Sequence, residues 1–394
     1  MRVLGIIAEY DPLHNGHVYH LQSAKQAVRP DYTVIALSSC FTQRGAPALL
    51  SPAGRAGLAL SAGADAVFAL PALYTVRDAE HYALGAVTLL SALGVTDIAF
   101  GAETDDLPLL SSVSALLADE PPEWKAALSR FMAGGLGYPA AAAAAAEEVL
   151  PGAGGVLSCP NNTLAVSYLR AIRSHAPEMI PHVIRRTGAY HAESAVPSAP
   201  SASAVRSAVA RGNWQSVFAS VPPATADLIR QEALARRFPD PDRLSGIILP
   251  FLRLGGRGVF AAPSLIPEGL EDRITGAASQ ASSFDGLIRL ASSKRYPDAR
   301  LRRICVSALL GMTDDLLLSP PDPSVSFLLG IRYSAGELFT LWKESGRTEV
   351  LTGMKAVQKR APVWYQTEAR AYEIYACLTG RSAGFEYSLP LLRC

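Results

Sequence analysis

Cysteine is scarce in this 394-residue chain: there are five, and no two form a CxxC pair. That spacing excludes a zinc ribbon and a disulfide-stapled scaffold, and it fits a reducing compartment. Charge is also sparse, at 18% of residues with a formal net charge of +1. No global field draws the chain to nucleic acid or membrane, so any polyanionic partner must meet a local basic patch. Long apolar runs are missing. The longest is the alanine run 140–146, far short of the roughly 20 residues a membrane span needs. The opening MRVLGIIAEYDP carries a short apolar run, then charge and proline with no small-residue cleavage site. It reads as a strand, not a signal peptide. These absences predict a cytoplasmic protein without a membrane partner, and the length predicts two or three domains. Histidine is rare as well, yet three of the seven fall within EYDPLHNGHVYHL, residues 9–21.

The first hundred residues alternate. Short β-rich runs (Val3–Ile7, Tyr32–Leu37, Ala66–Leu70, Asp97–Phe100) are separated by segments such as Val18–Val28, Pro52–Ala62 and Asp78–Leu93, whose apolar residues recur at helical spacing. Continuous apolar strands divided by helices predict βαβ units and a parallel sheet covered on both faces. Residues 105–175 read as helical, and HVIRR (182–186) reads as a late strand. AESAVPSAPSASA (192–204) alone would be a linker. From 203 to 394 the pattern is almost wholly helical. The expected fold class is α/β: a Rossmann-like, doubly wound parallel sheet over 1–215, followed by a mainly α-helical domain over 216–394.

This pattern places His14-Asn15-Gly16-His17 in the first βα turn. Open α/β sheets bind ligands there, at the carboxyl ends of strands. A helix N-terminus offers unpaired N–H groups suited to phosphate. Two imidazoles three residues apart add donors aimed at one point, and Gly16 lets a base or ribose approach the backbone. A polar loop would explain an isolated HxxH equally well; the strand before and the helix after favour chemistry. His20 has a plainer reading, as a supporting residue on the helix face.

GIIAEYDPLHNGHVYHL resembles the HxGH signature of the nucleotidyltransferase superfamily. More narrowly, it resembles the tRNA(Met) cytidine acetate ligase family. The resemblance continues in order through FTQRGAPALL (41–50), GADAVFALP (63–71), AEHYALGAV (79–87), FGAE (100–103), PNNTLAVSYLRAI (160–172), RRTGAYH (185–191), SASAVRSAV (201–209) and SSKRYPDARLRR (292–303). It implies an ATP-dependent ligase that forms acetyl-adenylate and transfers acetyl to N4 of the wobble cytidine (position 34) of elongator tRNA(Met). Partners would be ATP with Mg2+, acetate and that tRNA, with no tightly bound prosthetic group and no dedicated metal site. Catalysis is implied for His14, His17 and Arg206. ATP contacts are implied along the run Ile7, Ala8, Glu9, Tyr10, Asp11, Pro12, Leu13, His14, Asn15, Gly16, His17, Val18, Tyr19 and His20.

Other positions admit two readings each. Gly101 closes a strand and either turns the chain or, by the resemblance, contacts ATP. Asn161 and Asn162 precede a helical pattern, so one of them caps it or contacts the nucleotide. Arg185 and Arg186 end a strand; they are surface charges, or arginines that stack on adenine or fork onto phosphate, and the resemblance favours Arg186. Ser203 reads as a helix cap with Arg206 in the first turn behind it, as in the second superfamily signature. That reading displaces the linker. Gln43 and Arg44 hold substrate or form a turn. Ser51-Pro52-Ala53 stands where the family has an acidic–Lys–aromatic trio, with Arg55 retained. Asp11 replaces the family's more usual asparagine, and the helix after Tyr138 has alanines for its usual basic residues.

Between Leu287 and Cys305 lie six basic residues (Arg289, Lys294, Arg295, Arg300, Arg302, Arg303) against one acidic residue, Asp298. With Pro297 at the first helical position, Leu301, Ile304, Cys305 and Ala308 share a buried face. A solvated helix face is one reading. In a nearly neutral chain whose family acts on tRNA, the other is a phosphate-binding surface of Lys294, Arg295, Arg300 and Arg303, with Tyr296 free to stack on an unpaired base. Two rival functions remain: an adenylyltransferase for a small phosphorylated metabolite, and a non-catalytic ATP- and RNA-binding protein. The long helical tail opposes the first, and intact His14, His17 and Arg206 oppose the second.

Overall fold

The computed structural model describes residues 1–186, 201–267, 269–319 and 322–394. The strands are β1 (Val3–Ala8), β2 (Tyr32–Ser38), β3 (Ala66–Leu70), β4 (Asp97–Ala102), β5 (Ile180–Arg185), β6 (Val325–Ile331), β7 (Glu349–Leu351) and β8 (Leu392–Arg393). They form one sheet in the order β5-β4-β1-β2-β3-β6-β7, with β8 also pairing with β6. The first five strands are parallel, in the doubly wound order 3-2-1-4-5. The strand order reverses at β1 and β4, which lie side by side and parallel, so the crevice outside their carboxyl ends is where such a sheet binds a ligand.

Burial explains why these strands lack polar alternation. Leu4, Ile6, Ile35 and Leu37 join one core cluster, whereas Val3, Val34, Ala36 and Phe68 join the cluster on the opposite face. The helices Ala79–Ala92, Leu107–Asp119 and Pro160–His175 cover the second face. Asn15–Val28, Pro52–Ser61 and the C-terminal Pro362–Thr379 cover the first. Among the described residues no helix is long and apolar enough to cross a membrane.

One local expectation changes. The tail is not helical throughout: β6 pairs antiparallel with β3, while β7 and β8 run parallel to β6 at its two ends. Position 216 lies inside the helix Trp214–Ser220, whose Val217 packs into the sheet core. A separate helical core does exist, built from Leu244, Ile248, Ile274, Leu287, Leu301 and Cys305 on the helices between Pro241 and Leu309. Finally, residues 187–200, most of the presumed linker and the end of RRTGAYH, lie outside the described residues.

Candidate active site

The helix after β1 starts earlier than its apolar pattern suggests, at Asn15, so His14 is its N-cap and His17 lies in its first turn. The two histidines cap that turn reciprocally. His14 Nδ1 accepts the Gly16 N–H (3.1 Å), and His17 Nδ1 accepts the His14 N–H (3.3 Å). Their rings stack at 3.7 Å between centroids, and Tyr10 tilts against His17 at 5.1 Å. An Nδ1 that accepts cannot carry a proton, so each neutral ring presents Nε2–H as a donor. Burial, with the Arg186 guanidinium acting in the same direction, holds the pKa values of His14 and His20 down to about 4. Burial also holds His17 well below its ordinary value, helped by its neighbour His14. The site therefore holds neutral imidazoles at pH 7.

Across the crevice, Gly101 lies one residue from the end of β4, paired with Ile184 of β5. A Cβ there would stand 3.2 Å from Arg186 Cγ and 3.6 Å from His20 Cδ2, so the glycine permits that close approach. His20 Nε2 is buried without a hydrogen-bond partner among the described residues. The two asparagines separate by role, and neither caps a helix; Cys159 occupies that position, without a side-chain bond. Asn162 is 3% exposed, and its Oδ1 accepts from the Glu103 and Thr104 N–H groups (2.8 and 3.1 Å). Glu103 returns the bonds by accepting from the Asn162 N–H (2.7 Å) and Asn161 Nδ2 (2.6 Å). Asn161 Oδ1 accepts from Arg186 Nη1 (3.2 Å). Arg185 turns to Asp105, 3.8 Å away at the surface. The structure thus groups His14, His17, His20, Gly101, Asn161 and Arg186, and leaves out Arg185, Asn162 and the exposed Tyr19.

On the other side of β1, Arg206 Nη1 bonds the Asp11 carbonyl (2.6 Å) and lies 3.1 Å from its carboxylate. Asp11 Oδ1 also accepts the Leu49 N–H at 2.6 Å. The aspartate thus gives Arg206 a charged partner. Ser203 is not the cap of this helix. Ser201 is, accepting the Ala204 N–H at 3.3 Å, while the Ser203 hydroxyl bonds Ser201 (2.8 Å); Arg206 consequently falls in the second turn of Ala202–Ala210. Arg55 is fully buried and donates to the carbonyls of Leu50 (2.9 Å), Glu9 (2.6 Å) and Ser39, binding the ends of β1 and β2 together. Ser51 and Pro52 cap the helix that carries it. Sequence reasoning assigned no role to Glu103 and only noted Arg55; an acidic residue just past a strand end in FGAE was the available signal for Glu103.

The basic segment divides. Lys294 and Arg295 are exposed in the loop. Pro297 is the N-cap of Asp298–Leu309 and not its first residue, and the expected apolar stripe is buried. Tyr296 is half-buried between Arg295 and Arg300, whose guanidiniums lie 5.5 and 5.8 Å from its ring centroid. Arg302 pairs with Asp285 (2.6 Å). Arg303 departs from the expected surface: its guanidinium donates to the Gln43 carbonyl (3.3 Å), and burial lowers its pKa. Among the described residues no three His, Cys, Asp or Glu side chains form a group that could hold a metal ion.

A family model described as HIGH Nucleotidyl Transferase matches residues 1–386. A tRNA(Met) cytidine acetate ligase of Kosmotoga olearia is 36% identical over 326 residues, covering 80% of this chain and 76% of that one. The chain belongs to the tRNA(Met) cytidine acetate ligase family. A second such ligase, from a Thermoanaerobacter species, matches over 404 residues at 29% identity, covering 100% of both chains. Among solved structures, Thermotoga maritima TmcAL bound with alpha-thio ATP superimposes over 100% of both chains with a TM-score of 0.90 at 27% identity. The same protein without ligand gives a TM-score of 0.91.

Proposed function

We propose that this chain is an ATP-dependent ligase that acetylates N4 of the wobble cytidine, position 34, of elongator tRNA(Met). The observation that carries the reading is the neutral, stacked His14–His17 pair at the β1–β4 crevice of a chain related along its length to ligases of that name. An acetate oxygen attacks the α-phosphorus of ATP and pyrophosphate leaves, forming the mixed anhydride acetyl-adenylate. The cytidine N4 then attacks the acetyl carbon; the AMP phosphate oxygen leaves and N4 loses a proton. Nε2–H of His14 and His17 would donate to the phosphates as charge moves onto pyrophosphate, the kind of preorganised stabilisation that lowers a barrier most. Arg186 and Asn161 would face the nucleoside side, and Arg206 the phosphates beside Asp11. Magnesium would arrive with ATP as part of the substrate. The exposed Lys294 and Arg295, with the half-buried Arg300 beside them, would meet tRNA phosphates, and the protein would work in the cytoplasm where those substrates are.

Acetate-dependent exchange of labelled pyrophosphate into ATP tests the adenylation half. Exchange that needs acetate and disappears in a His14→Ala/His17→Ala variant supports the reading. Exchange driven instead by a phosphorylated metabolite would make the chain an adenylyltransferase, and no exchange with any acid would make it a binding protein.

A further inference from the structure

The loop after β2 is a tight hairpin. Phe41 and Pro47 form a β-bridge, and the Thr42 N–H reaches the Ala46 carbonyl (2.9 Å) while the Gly45 N–H reaches the Thr42 carbonyl (2.9 Å). This hairpin is held at both edges through one residue, Gln43. Its N–H donates to Glu9 Oε1 at 2.6 Å, and its carbonyl accepts from Arg303 Nη1 at 3.3 Å. The contact with the helical half is also a backbone contact. Gly45 has φ +69°, and a Cβ there would stand 2.6 Å from the Arg303 nitrogen and 2.7 Å from the Arg302 carbonyl carbon. Only glycine, which lacks a Cβ, tolerates that backbone conformation at so close an approach.

We infer that Arg303 is a positioning residue for the acid-binding side of the adenylation site, acting through the Gln43 peptide on Glu9, and is not a tRNA phosphate contact. The inference rests on the function proposed above. The nucleotide-side groups, Gly101, Asn161 and Arg186, stand on β4, on the helix Pro160–His175 that precedes β5, and just past β5. β2 flanks β1 on the opposite side. The other substrate of the adenylation step, a small carboxylic acid, is left the β1–β2 side, next to the phosphates at Arg206 and Asp11, where Glu9 and the hairpin lie. Arg303 is well placed for such a role and badly placed for phosphate. Its guanidinium is half-buried and bonded to a carbonyl, whereas Lys294 and Arg295 stay in solvent. Loss of Arg303 frees the Gln43 carbonyl and lets the hairpin drift from the end of β1.

The test measures acetate-dependent pyrophosphate exchange at varied acetate and varied ATP, together with tRNA affinity across a salt series. The proteins are the full chain, Arg303→Ala, Arg303→Lys, Gly45→Ala, and Arg302→Ala as the neighbouring control. The Arg303→Ala variant should raise the acetate KM about tenfold, the scale of one lost hydrogen bond from a charged donor. Its ATP KM should stay within about twofold, and its tRNA affinity and salt slope should match the parent. Arg303→Lys should recover part of the loss, Gly45→Ala should reproduce it from the other side of the contact, and Arg302→Ala should leave it absent. An unchanged acetate KM in Arg303→Ala, or a tRNA salt slope reduced by about one, would overturn the inference. A parent protein without acetate-dependent exchange would remove the functional reading and this inference with it; that failure shows in the parent, not in the variant.

Discussion

Replacing Asn162 by alanine should cost fold stability, whereas replacing Asn161 should cost nucleotide affinity. Asn162 Oδ1 is the acceptor for two backbone donors, the Glu103 and Thr104 N–H groups at 2.8 and 3.1 Å. Both donors are half-buried, so water can replace part of the loss. Each then costs near the lower end of the roughly 1–3 kcal/mol expected for an unsatisfied donor, or about 2 kcal/mol for the pair. Asn161 gives up one bond to Glu103 and one from Arg186, and neither leaves a backbone group unpaired. Its alanine variant should lose no more than about 1 kcal/mol. Urea unfolding followed by circular dichroism reads the first effect as a shift of midpoint at unchanged slope. The ATP dependence of pyrophosphate exchange reads the second, with KM for ATP rising roughly tenfold for Asn161→Ala. An Asn162→Ala protein as stable as the parent, or an Asn161→Ala protein with unaltered ATP KM, would refute the assignment.

Three further outcomes follow from the same geometry. Alanine at His14 or His17 should slow adenylation by roughly a hundred- to a thousand-fold, about 2.7–4 kcal/mol, with a smaller effect on ATP binding; stopped-flow or exchange kinetics with near parental rates would exclude their role. Charge reversal at Lys294 and Arg295 should weaken tRNA binding and flatten its salt dependence, while acetyl-adenylate formation without tRNA continues; unchanged affinity at low salt would move the RNA surface elsewhere. The depressed histidines also set a pH response. Their folded values lie below the unfolded value near 6.5, and His14 and His20 reach about 4. Between those limits the unfolded chain binds more protons, so their contribution to stability is present above pH 6.5 and is lost as pH falls toward 4. Glu368, pushed up to about 7 by burial, acts with the opposite sign over roughly pH 7 to 4.5. The informative quantity is therefore the difference between the parent and a His20→Gln variant, whose stability should fall less steeply with acidification; identical pH profiles would contradict the neutral state assigned to His20.

The first four strands were legible because each is a compact β-rich run, and both faces of the sheet they form are covered. β6 was not. VSFLLGI is a continuous apolar run whose burial is complete, and such a run reads equally as a turn of buried helix. β7 and β8 span three and two residues, too short for any periodicity. At the site, the histidine cluster stood out because strand and helix signals bracket it. The start of its helix was misplaced because His14 does the capping work usually done by serine or aspartate. In SASA both serines satisfy the cap pattern, and only the backbone direction selects Ser201 over Ser203. Arg303 could not be told from its basic neighbours, since its partner Gln43 lies 260 positions earlier in the chain.

One measurement reaches the proposed formation of acetylcytidine in tRNA directly. Purified protein is incubated with ATP, magnesium, isotopically labelled acetate and unmodified elongator tRNA(Met), and the digested nucleosides are analysed by mass spectrometry. Labelled N4-acetylcytidine should form, confined to the wobble fragment, dependent on ATP, and absent with the His14→Ala/His17→Ala protein. Acetate-dependent exchange with no acetylcytidine formed, or label at another nucleoside, would contradict the proposed function.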